Sequence, residues 1–303
     1  MSNQQTKILE LLRSPQEANV ALAIELCKSM PQLALPRYIE SYLRVYRAFF
    51  NQALKGIKPK QIAELNQPVF ELSDQSLEKL PPEIGILQNL ESLNLWDNRI
   101  RELPPDIEQL QGLKKLFLSN NCLTQLPAGF ARLQKLEELW LNGNYFTALP
   151  KTVAWLPHLK VLVMGQNRLT TLPCDLTHLS SLRKFWLFNN HFKTLPLVLC
   201  YIPNLQYLWL RGNQLTYLPG AIQQMQELRG LGLSDNRLKH LPQEIGALKN
   251  LQKLNLAGNQ LTTLPAEIDR LKNLQELDLT GNPIPYRKRK LIRSWLPNSQ
   301  VIF

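Results

Sequence analysis

Apolar residues recur along this chain with a fixed period of 23 positions. The pattern LxxLxLxxNxLxxLPxxIxxLxx runs without insertion or deletion from residue 90, and full copies begin at Leu90, Leu113, Leu136, Leu159, Leu182, Leu205, Leu228 and Leu251. A partial copy begins at Leu274 and a degenerate copy at Gln67, which gives ten units. This periodicity predicts a solenoid, in which each repeat forms the same small unit and stacks on its neighbours.

Each column of the repeat predicts a structural role. Positions 1 to 7 alternate as a short strand does, so we expect the leucines at positions 4 and 6 to face the core and positions 3, 5 and 7 to face outward. The asparagine at position 9 carries a donor and an acceptor, and predicts a buried ladder of amides that satisfies backbone groups at the turn. A Leu-Pro pair then predicts the start of a short helix, because proline fixes φ near the helical value. The asparagines are Asn98, Asn121, Asn144, Asn167, Asn190, Asn213, Asn236, Asn259 and Asn282.

The open ends of such a stack need caps. Residues 1–66 predict a helical N-terminal cap, because two stretches have the apolar spacing of helices. The repeats occupy 67–282, and residues 283–303 predict a C-terminal cap with a short helix around Arg287–Trp295 and a closing strand at Val301–Phe303. The two helical stretches are 16–29 and 37–55.

The repeat resembles the 23-residue class of leucine-rich repeats, which is found in Ras-group scaffolds and in many bacterial repeat proteins. Nine asparagines and nine Leu-Pro pairs carry the resemblance, which covers about 67–282. It implies an α/β solenoid: a right-handed horseshoe with a concave parallel β-sheet, short convex helices and, in this chain, a helical N-terminal cap. It also implies protein binding. The helical leader differs from the cysteine-rich caps of secreted members and favours a cytoplasmic protein.

The outward positions of the central repeats are rich in aromatic residues, and four of the six tryptophans fall there. Rings beside an arginine are typical of interface hot spots, so we predict that a protein or peptide binds to the concave face. The alternative is that the rings stack across neighbouring strands and only stiffen the sheet, and both can hold together. The predicted contact residues are Trp96, Phe117, Trp140, Val163, Trp186, Phe188, Tyr207, Trp209 and Arg211.

Small outward residues between the rings predict where a partner would insert a side chain. The strand at 161–163, followed by Gly165, exposes only small residues between Trp140 and Trp186. The glycines in the strand at 230–232 form a second low point beside the rings of the preceding strand. We expect an apolar or aromatic side chain of the partner to enter a slot at one of these places.

The net charge of +11 lies mainly in the two ends of the chain. Residues 1–66 carry +4 and residues 283–303 carry +5, whereas 67–282 carry only +2. The run Arg287, Lys288, Arg289, Lys290 is a candidate contact for an anionic partner, although such a run is commonly a solvated helix face. Because no basic groove follows the repeats, nucleic acid and membrane are not the expected partners.

The chain carries no motif for catalysis, cofactor or metal binding. The four cysteines and four histidines lack the spacing of a zinc site, and no HExxH, P-loop, GxSxG or GxGxxG motif is present. We therefore expect a non-enzymatic protein with reduced thiols and with neither a cofactor nor a small-molecule substrate. No secretory signal is visible, and no stretch approaches about 18 consecutive apolar residues. Trp155 and Trp295 fall outside the outward positions and are expected to be packing residues.

The leading interpretation is an intracellular protein-binding scaffold, with a role in signalling. A first alternative is a bacterial effector or recognition module that leaves the cell by a route without a classical signal. A second alternative is a basic anchor for an anionic membrane or nucleic acid, whose binding would fall steeply with added salt.

Overall fold

Two compact units make up the chain in the computed structural model, Met1–Leu136 and Glu137–Phe303. The structure describes residues 3–28, 35–50 and 53–303. Both units contain the predicted repeats, and each is described below by itself.

The described part of the first unit begins with four α-helices. Helix α2 lies within the predicted segment 16–29, whereas α3 begins two residues before the predicted segment 37–55 and ends at Phe49. Residues 29, 51 and 52 of these segments lie outside the described residues. No sequence pattern predicted α1 or α4. The four helices are α1 Asn3–Leu12, α2 Glu17–Lys28, α3 Leu35–Phe49 and α4 Pro59–Leu65.

A buried polar contact joins the helices of the first unit. The Tyr42 hydroxyl on α3 donates a hydrogen bond of 2.8 Å to Oδ1 of Asn66, which follows α4. The Asn66 amide in turn donates to the carbonyl of Leu12 at the end of α1, at 2.9 Å. Burial raises the pKa of the Tyr42 hydroxyl, which keeps it protonated as a donor. The Tyr42–Asn66 pair therefore links α3, the end of α4 and the end of α1.

Short parallel strands, one to a repeat, form the sheet of each unit. In the first unit the strands β1 Val69–Glu71, β2 Ser92–Asn94 and β3 Lys115–Phe117 pair in chain order. The second unit contains β4 Glu138–Trp140, β5 Val161–Val163, β6 Lys184–Trp186, β7 Tyr207–Trp209, β8 Gly230–Gly232, β9 Lys253–Asn255, β10 Glu276–Asp278 and β11 Gln300–Ile302. These also pair in chain order. The predicted parallel sheet is confirmed in each unit, and β11 is the predicted closing strand.

Five-residue 3-10 helices form a second layer, and the leucine core lies between this layer and the strands. Each 3-10 helix begins after a proline of the repeat, as the Leu-Pro pair predicts. The first unit has Pro82–Ile86, Pro105–Gln109 and Ala128–Arg132. The second unit has Lys151–Trp155, Leu197–Tyr201, Gly220–Gln224, Gln243–Ala247 and Ala266–Arg270, and it ends with the helix α5 Tyr286–Trp295.

One repeat lacks this helix, so the prediction of a short helix is wrong there. In the repeat that begins at Leu159, every residue of which is described, the return path is a turn. The Asp175 carboxylate accepts hydrogen bonds from the backbone N–H of Thr177 at 2.8 Å and from its hydroxyl at 2.7 Å. These bonds hold the pKa of the Asp175 carboxyl below its ordinary value. An aspartate that bonds its own backbone two residues on competes with helix formation.

The predicted asparagine ladder is confirmed, because all nine amides are buried. Asn190 shows the pattern in the second unit. Its Nδ2 donates to the carbonyls of Met164 at 2.9 Å and Leu187 at 3.1 Å, and its Oδ1 accepts from the N–H of Leu169 at 2.9 Å. Asn190 thus joins its own repeat to the preceding one and satisfies backbone groups that the turn leaves unpaired.

Candidate partner-binding surface

Five aromatic side chains of the second unit lie together on the outward side of its strands, the side that carries positions 3, 5 and 7. We call them the ring cluster, and each is half-buried. The structure therefore brings most of the predicted contact residues onto one surface, whereas Trp96 and Phe117 belong to the first unit. The ring cluster consists of Trp140, Trp186, Phe188, Tyr207 and Trp209.

The first predicted slot is closed by the rings beside it. Trp140 and Trp186 meet edge to face across the intervening strand, with ring centroids 5.5 Å apart and planes at 82°. Val163 lies beneath them and is only 1% exposed. The expectation of an open slot here is wrong, because the two indoles are long enough to bridge the small residue. Val163 supports the rings from below and does not reach a partner.

The glycines of the two predicted slots are likewise covered by rings. Phe188 lies over Gly165, and Trp209 lies over Gly232, so closely that an added Cβ at either glycine would overlap the ring. Tyr207 covers Gly230 in the same way. All three glycines are buried. Their role is to let a ring from the neighbouring strand rest on bare backbone, which a side chain would prevent.

The rings of β6 and β7 lean away from each other. Trp186 and Phe188 lean towards β5, whereas Tyr207 and Trp209 lean over β8. Trp186 and Trp209 are register partners on the paired strands, but none of the ring contacts found in the described residues joins the two pairs. The strip of paired backbone between Trp186 and Trp209 is therefore not bridged by a ring contact, and we call this strip the β6–β7 groove. The sequence carries a signal for this arrangement, because glycines occupy outward positions next to β6 on its β5 side and next to β7 on its β8 side.

A cation stands at each end of the β6–β7 groove. Lys184 extends its Nζ over the Tyr207 ring, at 5.9 Å from the centroid. At the other end, Nε of Arg211 lies 2.8 Å from Oδ2 of Asp235, and both side chains are more than half exposed. The groove thus combines aromatic walls with positive ends, of which the Arg211 end is partly neutralised by its carboxylate partner.

A second aromatic set lies on the helix side of the same unit and was not predicted. Trp155 stacks on His178 with centroids 4.3 Å apart, yet it stays 55% exposed. Tyr201 and Leu197 are exposed by 54% and 57%. The prediction that Trp155 is a packing residue is therefore only partly right. Trp155, His178 and Tyr201 occupy position 20 of three successive repeats, and this periodicity could have revealed them.

The predicted basic run lies on α5 at the end of the second unit. The guanidinium carbons of Arg289 and Arg293 lie 5.4 Å and 5.2 Å from the centroid of the Phe303 ring. Lys290 places its Nζ 5.1 Å from the centroid of the Tyr286 ring. Arg287 and Lys288 are exposed.

Family comparisons agree with this geometry. A model of a leucine-rich repeat region matches residues 41–151, and further leucine-rich repeat models match 135–192, 226–284 and 204–225. A leucine-rich repeat protein of Leptospira interrogans of known structure is 37% identical over 81% of this chain and 75% of its own, with a TM-score of 0.60. This chain belongs to the leucine-rich repeat family. Members of the family are typically protein-binding scaffolds without enzymatic activity.

Two longer leucine-rich repeat proteins are also similar. The plant peptide hormone receptor RGFR1, solved in complex with RGF2, is 32% identical over 67% of this chain and 34% of its own, with a TM-score of 0.59. The functional domain of InlJ from Listeria monocytogenes is 26% identical over 85% of this chain and 52% of its own, with a TM-score of 0.66. The chain thus spans about a third and about half of these two proteins. None of the curated proteins compared with the chain matches it.

The remaining chemistry of this leucine-rich repeat protein is sparse. Burial raises the pKa of the Cys200 thiol to about 11, so this cysteine stays protonated at neutral pH. In the described part of the chain, no three His, Cys, Asp or Glu side chains come close enough to hold a metal ion. None of the helices in the described ranges is both long and apolar enough to cross a membrane.

Proposed function

We propose that this leucine-rich repeat protein is a non-enzymatic scaffold that binds a protein or peptide on the ring cluster. The partner inserts an apolar or aromatic side chain into the β6–β7 groove, between Trp186 and Trp209. Arg211 and Lys184 contact the flanking polar groups of the partner. Trp96 and Phe117 stay predicted partner contacts of the first unit.

The observation that carries this proposal is that the rings of β6 and β7 lean apart and are held there. Trp186 is braced by Trp140, and Trp209 by the backbone of Gly232. Rings that are already ordered lose little conformational entropy when a partner binds, so more of the contact energy contributes to affinity. Stacking and binding are then two aspects of one arrangement, since the stacking creates the groove.

Similar proteins give further support. The receptor RGFR1 was solved with RGF2, and PEPR1 was solved as PEPR1–AtPEP1, so repeats of this fold accommodate peptides. We extend peptide or protein binding to this chain on that basis. We also propose a cytoplasmic role in signalling, which the free cysteines support because thiols stay reduced in that compartment.

A second candidate function is a bacterial effector or recognition module. The likeness to the Leptospira interrogans protein favours it, because that protein is 37% identical. If this leucine-rich repeat protein were found in the growth medium of intact producing cells, that result would favour the effector over the cytoplasmic scaffold. Retention inside the cells would contradict it.

A displayed library of random peptides tests the binding site directly. Binders selected on the full chain are measured against the Trp186→Ala/Trp209→Ala double variant. We expect affinity to fall at least about 30-fold, because truncating central aromatic residues removes hot-spot energy. The matched control is Trp155→Ala/Tyr201→Ala, which removes one Trp and one Tyr from the helix side and should leave affinity unchanged.

Circular dichroism and thermal unfolding show whether both variants remain folded. The proposal is wrong if the folded Trp186/Trp209 variant retains the selected binders. It is also wrong if the control variant loses them instead, which would place binding on the helix side.

A further inference from the structure

Among the described residues, no carboxylate lies within ion-pair distance of the cations of α5. Residues 283–303 contain five basic residues and no acidic one. The 3-10 helix Ala266–Arg270 packs against α5 and carries Glu267 and Asp269. Even so, no ion pair in the described chain involves a cation of α5. The uncompensated charge is thus concentrated on one helix of about 15 Å at the end of the second unit.

Apolar side chains lie exposed among these cations. Tyr286 is 71% exposed and Leu291 is 39% exposed, both on α5. Ile292 is fully buried and anchors the opposite side of the helix. A helix face that served only for solvation would be polar throughout, whereas this one mixes basic, aromatic and aliphatic side chains.

The folded end of the unit holds these side chains in place. Arg289 and Arg293 both pack over the Phe303 ring, and β11 is paired with β10. Lys290 packs over Tyr286. The charges therefore stand on a structured surface, and a partner that meets them need not order a flexible tail.

We propose that α5 docks the second unit on an anionic lipid bilayer. The negative surface of such a bilayer attracts clustered Lys and Arg side chains. Tyrosine and leucine enter the interfacial region beside the headgroups, as they do in helices that lie on membranes. A nucleic acid would use the same cations but would leave the exposed Leu291 in water, so this apolar residue favours the bilayer.

Vesicle sedimentation with the full chain tests this inference. The protein is mixed with vesicles of phosphatidylcholine and phosphatidylserine, and with vesicles of phosphatidylcholine alone. We expect binding only to the phosphatidylserine vesicles. The variant Arg287→Gln/Lys288→Gln/Lys290→Gln should bind about 100-fold more weakly, because each basic residue near an anionic surface contributes about fivefold.

A second triple variant, Lys193→Gln/Arg229→Gln/Lys239→Gln, provides the control. These side chains are exposed in the same unit, and the variant loses the same three positive charges. It should retain most of the binding, because charges more than about 10 Å from the bilayer are screened. If the two variants lost vesicle binding equally, the change in net charge alone would explain the loss, and the inference would be overturned.

The apolar part of the surface has its own test. Tyr286→Ser/Leu291→Ser should weaken vesicle binding and leave its salt dependence unchanged, since it removes no charge. Duplex DNA is the competing probe. Binding of DNA through the α5 cations without binding of phosphatidylserine vesicles would overturn the proposal and assign the surface to nucleic acid.

Discussion

The second unit presents aromatic residues on two sides, and the two sets are built differently. On the outward side of the strands, the ring cluster is half-buried, and its members rest on one another or on glycine backbone. On the helix side, Trp155 and Tyr201 are each more than half exposed, and Trp155 stacks on His178. The helix-side set is therefore the more exposed of the two.

This difference shows that exposure alone does not identify a binding surface. Exposed apolar residues are common on soluble proteins, and single ones need no functional explanation. Rings that are braced in fixed positions form walls with a defined spacing, which a partner can fit. We expect the ring cluster to contribute to both stability and binding, and the helix-side rings to contribute little to either.

The largest effect on stability should appear when two single variants are compared, one that lacks a tryptophan of the ring cluster and one that lacks a tryptophan of the helix side. Trp186→Ala removes the contact with Trp140 and uncovers Val163, so we expect a loss of about 2–3 kcal/mol in the free energy of unfolding. The Trp186 Nε1 is buried without a hydrogen-bond partner among the described residues, which keeps the loss at the low end for tryptophan. Trp155→Ala should cost about 1 kcal/mol, the value of one ring stack. Urea unfolding measures both, and equal losses would remove the distinction between the two sides.

A smaller effect should follow from adding one methyl group beneath a ring. Gly232→Ala places a Cβ where the Trp209 ring lies, so we expect a loss of about 1–2 kcal/mol and a displaced ring. The control Gly220→Ala places its Cβ 3.2 Å from the flexible Glu244 side chain, which can move aside. Thermal unfolding compares the two variants. If they unfold alike, the glycine does not hold the ring in place.

The repeat pattern predicted most of the fold because each of its columns has one structural solution. Asn190 could be assigned to a backbone-capping ladder because an amide at that position of the turn has few other partners. The turn at Asp175 was missed because its Leu-Pro pair matches the others, and the deciding hydrogen bonds involve the variable residues that follow. Helices α1 and α4 were missed because they are the two shortest helices described before the repeats, with 10 and 7 residues, and so contain fewer turns of apolar periodicity.

The sequence predicted which residues lie on the outward side of the second unit, but it did not predict the directions in which their rings lean. Alternation of side chains places Trp186 and Trp209 on the outward side, and the structure agrees. The direction in which each ring leans depends on the residue in the next strand, and Gly165 and Gly232 decide it. Within its own strand, each glycine only lacks a side chain. Beside the neighbouring strand, it provides the bare backbone on which a ring rests.

The smallest effect on stability should come from Arg211, the cation at one end of the groove. Arg211→Gln breaks the contact with Asp235, but both side chains are more than half exposed, so the free energy of unfolding should change by less than about 0.5 kcal/mol. Lys253→Gln, which breaks the exposed pair with Glu276, is the matched control. Peptides selected on the ring cluster should nevertheless bind the Arg211 variant about tenfold more weakly, because arginine at the edge of an aromatic site is often a hot spot. Calorimetry separates the two readouts: a large loss of stability would make Arg211 part of the fold, whereas an unchanged affinity would confine the partner to the aromatic walls.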